Sequence, residues 1–375
     1  MNRVFVASTP MIALACAAAA RAQGGRARLI LLEDFDLAER LQALLEAWRD
    51  TPFEAIVRLP GRHTEHRRGA LDRGRGLRHF LHRGQVKRDL RRETLSALRT
   101  LDADFAPQQV WLGNDRKVET QLLLHRVSTR TGTLAGRYLD DGLYTYLGDV
   151  RQRPWVRRVD AFVKQRIYGR WWQRVAHAGT SRWIAEAWLA FPALAPQPPY
   201  RSERIRQLPR DWLANRAFLR LSLDAARAFG VDRTQLRGCD AVWVLPHSNQ
   251  LRDDPAFAQA LRQAVTDVAA QGSRIALKYH PRETDPDPGL LLQAGAACVL
   301  PALIPMELLL PLLPAGARLL GEGSTALLAA HWLRPDLQVV DLGLARSGYA
   351  ARARALFARA GIGSLMQDSA GQRSR

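Results

Sequence analysis

Two adjacent acidic residues and a glycine, Asp140-Asp141-Gly142, stand directly after a short apolar run that is typical of a buried β-strand. The glycine permits a sharp turn, which would leave both carboxylates at the tip of the strand. Neighbouring carboxylates repel each other, and this raises the pKa of one of them toward the range that suits a general base. The same three residues are also typical of an ordinary turn, so the motif alone leaves both interpretations open.

A histidine-proline pair, His280-Pro281, closes a second apolar run in the other half of the chain. Proline cannot continue the hydrogen bonds of a strand, so His280 is expected at the carboxyl end of that strand. Ligands of α/β proteins bind at such strand ends. A histidine there also has a purely structural interpretation.

A glycine and two hydroxyl residues, Gly323-Ser324-Thr325, lead into a predicted helix. Glycine lets the backbone approach a ligand closely, and the hydroxyls stand beside the free N–H groups of a helix N-terminus. This combination favours the binding of a phosphate. The alternative is that Ser324 serves only as the N-cap of the helix.

The elements that would position these motifs are short apolar strands alternating with helical patterns, which predicts parallel sheets of the α/β class. Four prolines within residues 191–200 indicate a linker. We therefore expect a Rossmann-like domain over residues 1–190 and a second one over residues 201–375, facing each other across a cleft. Strands are predicted at residues 3–7, 29–32, 55–58, 109–112, 136–139, 241–245, 274–279, 298–300, 318–320 and 338–340.

The composition excludes a disordered chain and a protein with several membrane spans, since 47% of the 375 residues are apolar and the mean hydropathy is −0.22. The net charge of +19 favours anionic partners. Only four of the 55 basic residues are lysine, however, and such an arginine excess is typical of a GC-rich bacterial genome. The three cysteines, widely spaced in sequence, predict no disulfide framework and no metal site, as expected in a reducing cytoplasm.

The first 22 residues fit two descriptions. A basic start, an apolar run and the small-residue triplet Ala20-Arg21-Ala22 are typical of a signal peptide. Alternatively, residues 3–7 form a buried strand, Thr9 caps an alanine-rich helix and Pro10 is its first residue. We favour this first β–α–β unit.

Taken in order, the three motifs resemble those of the bacterial sialyltransferases and polysialyltransferase-like enzymes of the two-Rossmann-domain, GT-B type. That family is marked by an acidic-acidic-Gly motif, a His-Pro motif and a Ser-Ser or Ser-Thr pair. Here Ile304-Pro305-Met306-Glu307 resembles the segment with the acidic residue that grips the donor ribose. The segment Trp111-Leu112-Gly113-Asn114-Asp115-Arg116 resembles a strand-end loop of the polysialyltransferase-like branch.

The resemblance implies an inverting transfer of sialic acid, or a related nonulosonic acid, from a CMP-sugar to a capsule or lipooligosaccharide glycan. Asp140 would be the base by the first-acid pattern of the family, although Asp141 stays open as its substitute, and His280 would hydrogen-bond or protonate the leaving phosphate. No metal or cofactor is implied, because CMP leaves with a single phosphate. Asp-x-Asp pairs occur at residues 34–36, 102–104 and 285–287, and we interpret them as surface acids. The implied donor-binding residues are Pro281, Glu307, Gly323, Ser324 and Thr325, and the acceptor-side residues are Thr9, Asn114, Asp115 and Arg116.

Two other functions compete with this interpretation. A glycosyltransferase of the same fold could use CMP-Kdo or another nucleotide-sugar, and the basic charge fits a nucleic-acid-binding protein, although no nucleic-acid motif occurs. A lipid-linked or surface polysaccharide acceptor implies a cytoplasmic protein that contacts the anionic inner membrane peripherally. Residues 155–175 are amphipathic, with aromatic and aliphatic residues at helical spacing and basic residues between them, and would form either a helix at the membrane interface or a core helix. Residues 62–92 are a second basic stretch.

Overall fold

The computed structural model describes residues 1–70, 77–148, 154–344 and 348–365, and divides into two compact units, Met1–Trp212 and Leu213–Arg375. Each unit contains a parallel sheet with helices between its strands, of seven strands in the first unit and six in the second. This confirms the predicted α/β class with two Rossmann-like domains, which we call the first and second domains.

In the first domain, the strand order β3-β2-β1-β4-β5-β6-β7 reverses direction between β1 and β4, as in a doubly wound fold. Its strands are β1 (Asn2–Ala7), β2 (Arg26–Glu33), β3 (Ala55–Pro60), β4 (Gln109–Leu112), β5 (Gly136–Leu139), β6 (Ile184–Leu189) and β7 (Ile205–Gln207). Its helices are α1 (Pro10–Gln23), α2 (Ala38–Ala47), α3 (Arg62–Ala70), α4 (Leu77–Phe105), α5 (Val118–Thr131), α6 (Leu143–Leu147) and α7 (Pro154–Tyr168).

The second domain repeats this plan, with the order β10-β9-β8-β11-β12-β13 and a reversal between β8 and β11. Its strands are β8 (Ala241–Val244), β9 (Ile275–Lys278), β10 (Cys298–Val299), β11 (Arg318–Gly321), β12 (Gln338–Asp341) and β13 (Gly363–Ser364). Its helices are α8 (Arg216–Ala228), α9 (Arg233–Arg237), α10 (Ser248–Asp253), α11 (Pro255–Ala270), α12 (Met306–Leu309), α13 (Thr325–Leu333) and α14 (Gly348–Ala360).

The alanine-rich start of the chain forms the first strand and helix of the first sheet. The side chain of Thr9 accepts the backbone N–H of Ile12, and Pro10 occupies the first helical position, as predicted. Residues 12–20 of α1 are buried throughout, because small alanine side chains let the helix lie close to the sheet. Residues 1–22 are thus integrated into the β–α–β unit.

The proline-rich segment at residues 191–200 belongs to the first domain and does not separate the two. Leu194 and Tyr200 are buried there, and β7 then extends the first sheet beside β6. The aromatic ring of Trp212 packs near those of Trp111 and Trp188, so the division falls after Trp212. The boundaries at residues 190 and 201 were predicted from the prolines, which restrict only the local backbone. The packing of Trp212 against rings distant in sequence is not contained in that local pattern.

The predicted amphipathic stretch 155–175 is only partly helical. The helix α7 ends at Tyr168, and Gly169 follows with a positive φ of 105°. Trp172 and Val175 are buried beyond the helix, so the tryptophan packs in the domain. The side chains of Trp155 and Arg158, and residues 71–76 of the basic stretch 62–92, lie outside the described residues.

Within the described ranges, no helix is both long enough and apolar enough to cross a membrane.

Candidate functional site

Adjacent strand ends of the first domain carry most of the predicted acceptor-side residues and both acidic residues. Thr9 follows β1, Asn114 follows β4, and Asp140 and Asp141 follow β5. Because these parallel strands are neighbours, their carboxyl ends lie along one edge of the sheet, beside the reversal of strand order where α/β proteins bind ligands. We call these four residues the first-domain edge.

Asp140 is held by hydrogen bonds to both of its carboxylate oxygens. Oδ1 accepts the backbone N–H of Gly142 at 2.8 Å, and Oδ2 accepts the backbone N–H of Ala190 at 2.8 Å together with the hydroxyl of Tyr146. Burial raises the pKa of Asp140 above its usual value, and these donors limit the rise by stabilising the charged form. Asp140 thereby fixes the turn after β5 against the segment after β6.

Asp141 is less engaged than its neighbour. The carboxylate is half-buried and accepts the Thr9 hydroxyl at 3.3 Å, a contact between residues 132 positions apart in sequence. Burial raises the pKa of Asp141 to about 8, the negative charge of Asp140 adds to this rise, and the Thr9 hydroxyl opposes it. A carboxylate with such a pKa exchanges protons near neutral pH, which is what general-base chemistry requires.

The predicted loop residues after β4 divide into two kinds. Asp115 is fully buried, and its oxygens accept the backbone N–H groups of Gly179 and Ser181, both at 2.8 Å. It therefore fastens a neighbouring loop and has no exposed surface for an acceptor. Asn114 and Arg116 are half-exposed, and the Asn114 side chain accepts the Arg116 backbone N–H at 3.0 Å.

The three Asp-x-Asp pairs are not simply surface acids. Asp102 is buried and forms ion pairs with Arg126 at 2.8 Å and Arg130 at 3.0 Å. Asp34 forms an ion pair with Lys117. Asp287 accepts the backbone N–H groups that follow it at positions 291 and 292. Each pair thus has at least one member that holds the structure together, which the spacing of the two acids alone does not indicate.

The second domain brings the other motifs together in the same way. His247 follows β8, His280 follows β9, and residues 323–325 follow β11, three adjacent strands beside the reversal of strand order. We call these five residues the second-domain edge. The rings of His247 and His280 meet edge to face, with 5.7 Å between their centroids.

Backbone hydrogen bonds fix the tautomers of both histidines. Nδ1 of His280 accepts the backbone N–H of Arg282 at 3.2 Å, and Nδ1 of His247 accepts that of Asn249 at 3.1 Å. In a neutral ring the proton then resides on Nε2, so each imidazole has an Nε2–H to donate. Burial lowers the pKa of His280 to about 4, and electrostatic repulsion from Arg282, His247 and Lys278 adds to this decrease. His280 is therefore a neutral donor at pH 7 in the absence of an anion.

The glycine of the third motif is required by its conformation. Gly323 has a φ of 55°, and a Cβ atom added there would lie 2.6 Å from the Cα of Ala350. The Ser324 side chain caps α13 by accepting the backbone N–H of Ala326 at 3.2 Å. The capping role weighed for Ser324 is thus real, while Ser324 and Thr325 both stay half-exposed at the N-terminus of α13.

Glu307 and Pro281 both lie near the end of β9. Glu307 is half-buried in α12, where burial raises its pKa and the charge of Lys278 lowers it. Lys278 is buried, and its ammonium donates to the carbonyl oxygens of Ala302 at 2.7 Å and Tyr279 at 3.1 Å. Burial lowers the pKa of Lys278 to about 8, against the opposing effect of Glu307. Pro281 directly follows His280, where β9 has ended.

Sequence reasoning missed four groups that belong to these two edges or lie beside them. Tyr146 lies in a helix that the motif does not include, and the Ala190 N–H comes from an unpredicted strand end. Lys278 was visible as a charge within an apolar run. His247 had the clearest signal, because Leu245-Pro246-His247 closes β8 with a proline and a histidine, much as His280-Pro281 closes β9.

Solved structures with a similar fold cover nearly the whole chain. An α/β-galactoside α-2,3-sialyltransferase from Photobacterium phosphoreum matches with a TM-score of 0.52 and 12% identity, over 94% of each chain. A UDP-GlcNAc 2-epimerase from Methanocaldococcus jannaschii matches with a TM-score of 0.52 and 10% identity, over 97% of this chain and 89% of that one. The UDP-GlcNAc 2-epimerase from Neisseria meningitidis, bound to UDP-GlcNAc, matches with a TM-score of 0.50 and 12% identity, over 95% of this chain and 85% of that one.

No protein-family model and no curated protein matches the sequence. At these identities the structural likeness shows the fold alone: the chain has a GT-B type architecture of two Rossmann-like domains.

Proposed function

We propose that this protein is an inverting, metal-independent glycosyltransferase that moves sialic acid, or a related nonulosonic acid, from a CMP-sugar to a glycan hydroxyl. The observation that carries the proposal is Asp141, a half-buried carboxylate with a pKa of about 8 at a strand end beside the strand-order reversal. The three short motifs that resemble sialyltransferases support the choice of donor. The similar folds of a sialyltransferase and of nucleotide-sugar epimerases are compatible with it.

In the proposed reaction, Asp141 removes the proton of the acceptor hydroxyl as that oxygen attacks the anomeric carbon. A carbon–oxygen bond forms to the acceptor, and the bond from the same carbon to the phosphate oxygen breaks. The electron pair leaves with CMP. The sugar passes through an oxocarbenium-like transition state, as in glycoside hydrolysis. A correctly placed general base contributes on the order of 10²–10⁴-fold to the rate.

Asp141 is a better candidate for this base than Asp140, contrary to the first-acid pattern. Asp140 is buried and both of its carboxylate oxygens already accept hydrogen bonds from three donors, so it is poorly placed to take a proton from an acceptor hydroxyl. It serves instead to raise the pKa of Asp141 by charge repulsion. The Thr9 hydroxyl orients the Asp141 carboxylate.

The donor phosphate is assigned to the second-domain edge. Two Nε2–H groups, from His247 and His280, and the hydroxyl of Thr325 are donors suited to a phosphate, and the N-terminus of α13 adds a positive dipole. A phosphate beside His280 would raise its pKa again, which would let it protonate the departing CMP. Glu307 would accept hydrogen bonds from ribose hydroxyls.

A UDP-sugar is a second candidate donor, because two of the proteins with a similar fold are UDP-GlcNAc 2-epimerases. Incubation of the protein with CMP-sialic acid, CMP-Kdo or UDP-GlcNAc and a panel of glycans separates the candidates by the nucleotide released and the product mass. We expect CMP release from CMP-sialic acid and a product heavier by one sialic acid residue. Turnover of UDP-GlcNAc alone would overturn the proposal.

The role of the base is tested in the same assay with Asp141→Asn. The matched control is Asp104→Asn, which makes the same change at an exposed position of α4. We expect loss of turnover only in the first variant, and equal loss in both would argue against a specific role for Asp141. A lipid-linked or capsular acceptor stays a prediction, and the product analysis would test it. Cytoplasmic localisation also stays a prediction.

A further inference from the structure

The helix α7 is turned with its polar side toward the rest of the first domain. Lys164 donates to Asp160 at 2.9 Å, and Arg174, from the segment after the helix, reaches the same carboxylate at 3.3 Å. One turn further on, Tyr168 accepts a hydrogen bond at 2.5 Å from Arg91 of α4. Among the residues of α7 whose side chains are described, Asp160 and Tyr168 therefore hold the helix to the domain through an ion pair and a hydrogen bond.

The opposite side of α7 is apolar and exposed. Val159, Phe162, Val163 and Ile167 are 56%, 60%, 47% and 66% exposed, and their spacing places them in one stripe along the helix. Of the eleven large apolar side chains that are exposed among the described residues, these four lie on this one face. A surface helix of a protein in water has the reverse arrangement, so this stripe indicates a surface that becomes covered.

The charged groups of the exposed side identify the covering surface as anionic. The Arg166 guanidinium lies 5.1 Å from the centre of the Phe162 ring, within the stripe itself, and Arg170 is exposed just beyond the end of the helix. The one acid of the described part of α7, Asp160, is engaged on the inner side. An apolar strip bordered by arginines matches the boundary between acyl chains and acidic headgroups.

We propose that the outer face of α7 docks on a membrane that contains anionic lipid, with Phe162 and Ile167 entering the interface and Arg166 and Arg170 contacting headgroups. A second copy of this chain is a poorer occupant, since it would bring another molecule of net charge +19 and the same arginines against the first. The proposal rests on the geometry of α7 alone, so it holds whichever donor the protein uses.

Sedimentation with vesicles tests this docking. The full chain is mixed with phosphatidylcholine vesicles that either contain or lack phosphatidylglycerol, at low and at high salt. We expect binding to the anionic vesicles that weakens at least tenfold in high salt, because screening shortens the reach of the arginines. Absence of binding to anionic vesicles at low salt, or equal binding to neutral vesicles, would overturn the proposal.

Variants then locate the contact. The double variant F162Q/I167Q should lose at least tenfold in vesicle affinity, and Arg166→Gln should lose less. The matched control is Leu219→Gln, which changes a side chain 40% exposed on α8 of the second domain. Thermal unfolding confirms folding, since polar substitutions at exposed positions cost little stability.

Two further outcomes are decisive. Unchanged vesicle binding by F162Q/I167Q would exclude this face as the contact. A concentration-dependent dimer that the double variant abolishes would show that a second copy covers the stripe instead. CMP release with a soluble acceptor should be unaffected by the double variant, so a failure of the docking and a failure of the proposed function give different results.

Discussion

The carboxylates of Asp140 and Asp141 differ in environment although they are adjacent in sequence, and this difference predicts a pH dependence. Only the deprotonated Asp141 can act as a base, and its pKa is about 8. We therefore expect kcat/KM to rise with pH and to level off above that value, in measurements of CMP release across the pH range. A flat profile between pH 6 and pH 9 would contradict the assignment.

The raised pKa of Asp141 also makes the free energy of unfolding depend on pH. In the unfolded chain an aspartate has a pKa of roughly 3.9, far below the value for Asp141 in the fold. Between these values the folded protein binds the proton more strongly, so the free energy of unfolding decreases as the pH rises. Asp141→Asn should remove this decrease, which urea unfolding at acidic and alkaline pH measures. An identical pH slope in wild type and variant would refute the raised pKa.

Ser324 and Thr325 should behave differently although both carry hydroxyls. Ser324→Ala removes the cap of α13 and should lower the free energy of unfolding by about 1 kcal/mol. Thr325→Ala leaves the cap intact but removes a donor to the phosphate, so CMP affinity should fall about tenfold, as expected for a hydrogen bond to a charged group. Calorimetry with CMP and thermal unfolding separate the two effects. Full CMP affinity in folded Thr325→Ala would remove this hydroxyl from the donor site.

At the scale of elements, the turn between β11 and α13 depends on glycine for two separable reasons. Gly323→Ala would place a Cβ both in a left-handed backbone conformation and 2.6 Å from Ala350. Gly230→Ala after α8 has a similar φ of 67° but no atom within 4 Å of the added Cβ, so it isolates the conformational cost of about 1 kcal/mol. We expect Gly323→Ala to lower the unfolding temperature more than Gly230→Ala. Equal shifts would mean that the turn accommodates the methyl group.

At the scale of the whole molecule, folding brings together two cysteines that are 59 positions apart in sequence. The sulfurs of Cys239 and Cys298 are 4.0 Å apart, whereas Cys16 is buried in α1. The hydrogen bond from Cys239 lowers the pKa of Cys298 to about 7, which raises its thiolate fraction, and burial raises the pKa of Cys16. Iodoacetamide should label Cys298 at least roughly tenfold faster than Cys16 in the folded protein.

Mass spectrometry of the labelled peptides measures this ratio. Cys239→Ala removes the hydrogen bond to the thiolate and should slow labelling of Cys298. Similar labelling rates for Cys16 and Cys298 before unfolding would disprove the predicted difference in reactivity.

The sequence by itself determined the α/β class, the first β–α–β unit with its Thr9 cap, and the strand-end positions of the acidic, His280 and Gly323 motifs. Apolar periodicity, capping and turn formation depend on residues a few positions apart, so a linear pattern contains them. Tertiary structure alone decided that Asp140 is held by the Ala190 N–H, 50 positions away. Our proposal of Asp141 as the base rests on that contact. Tertiary structure also decided the orientation of α7. Hydrogen bonds and burial between distant segments set pKa values and choose the exposed face of a helix, and no local pattern specifies those partners.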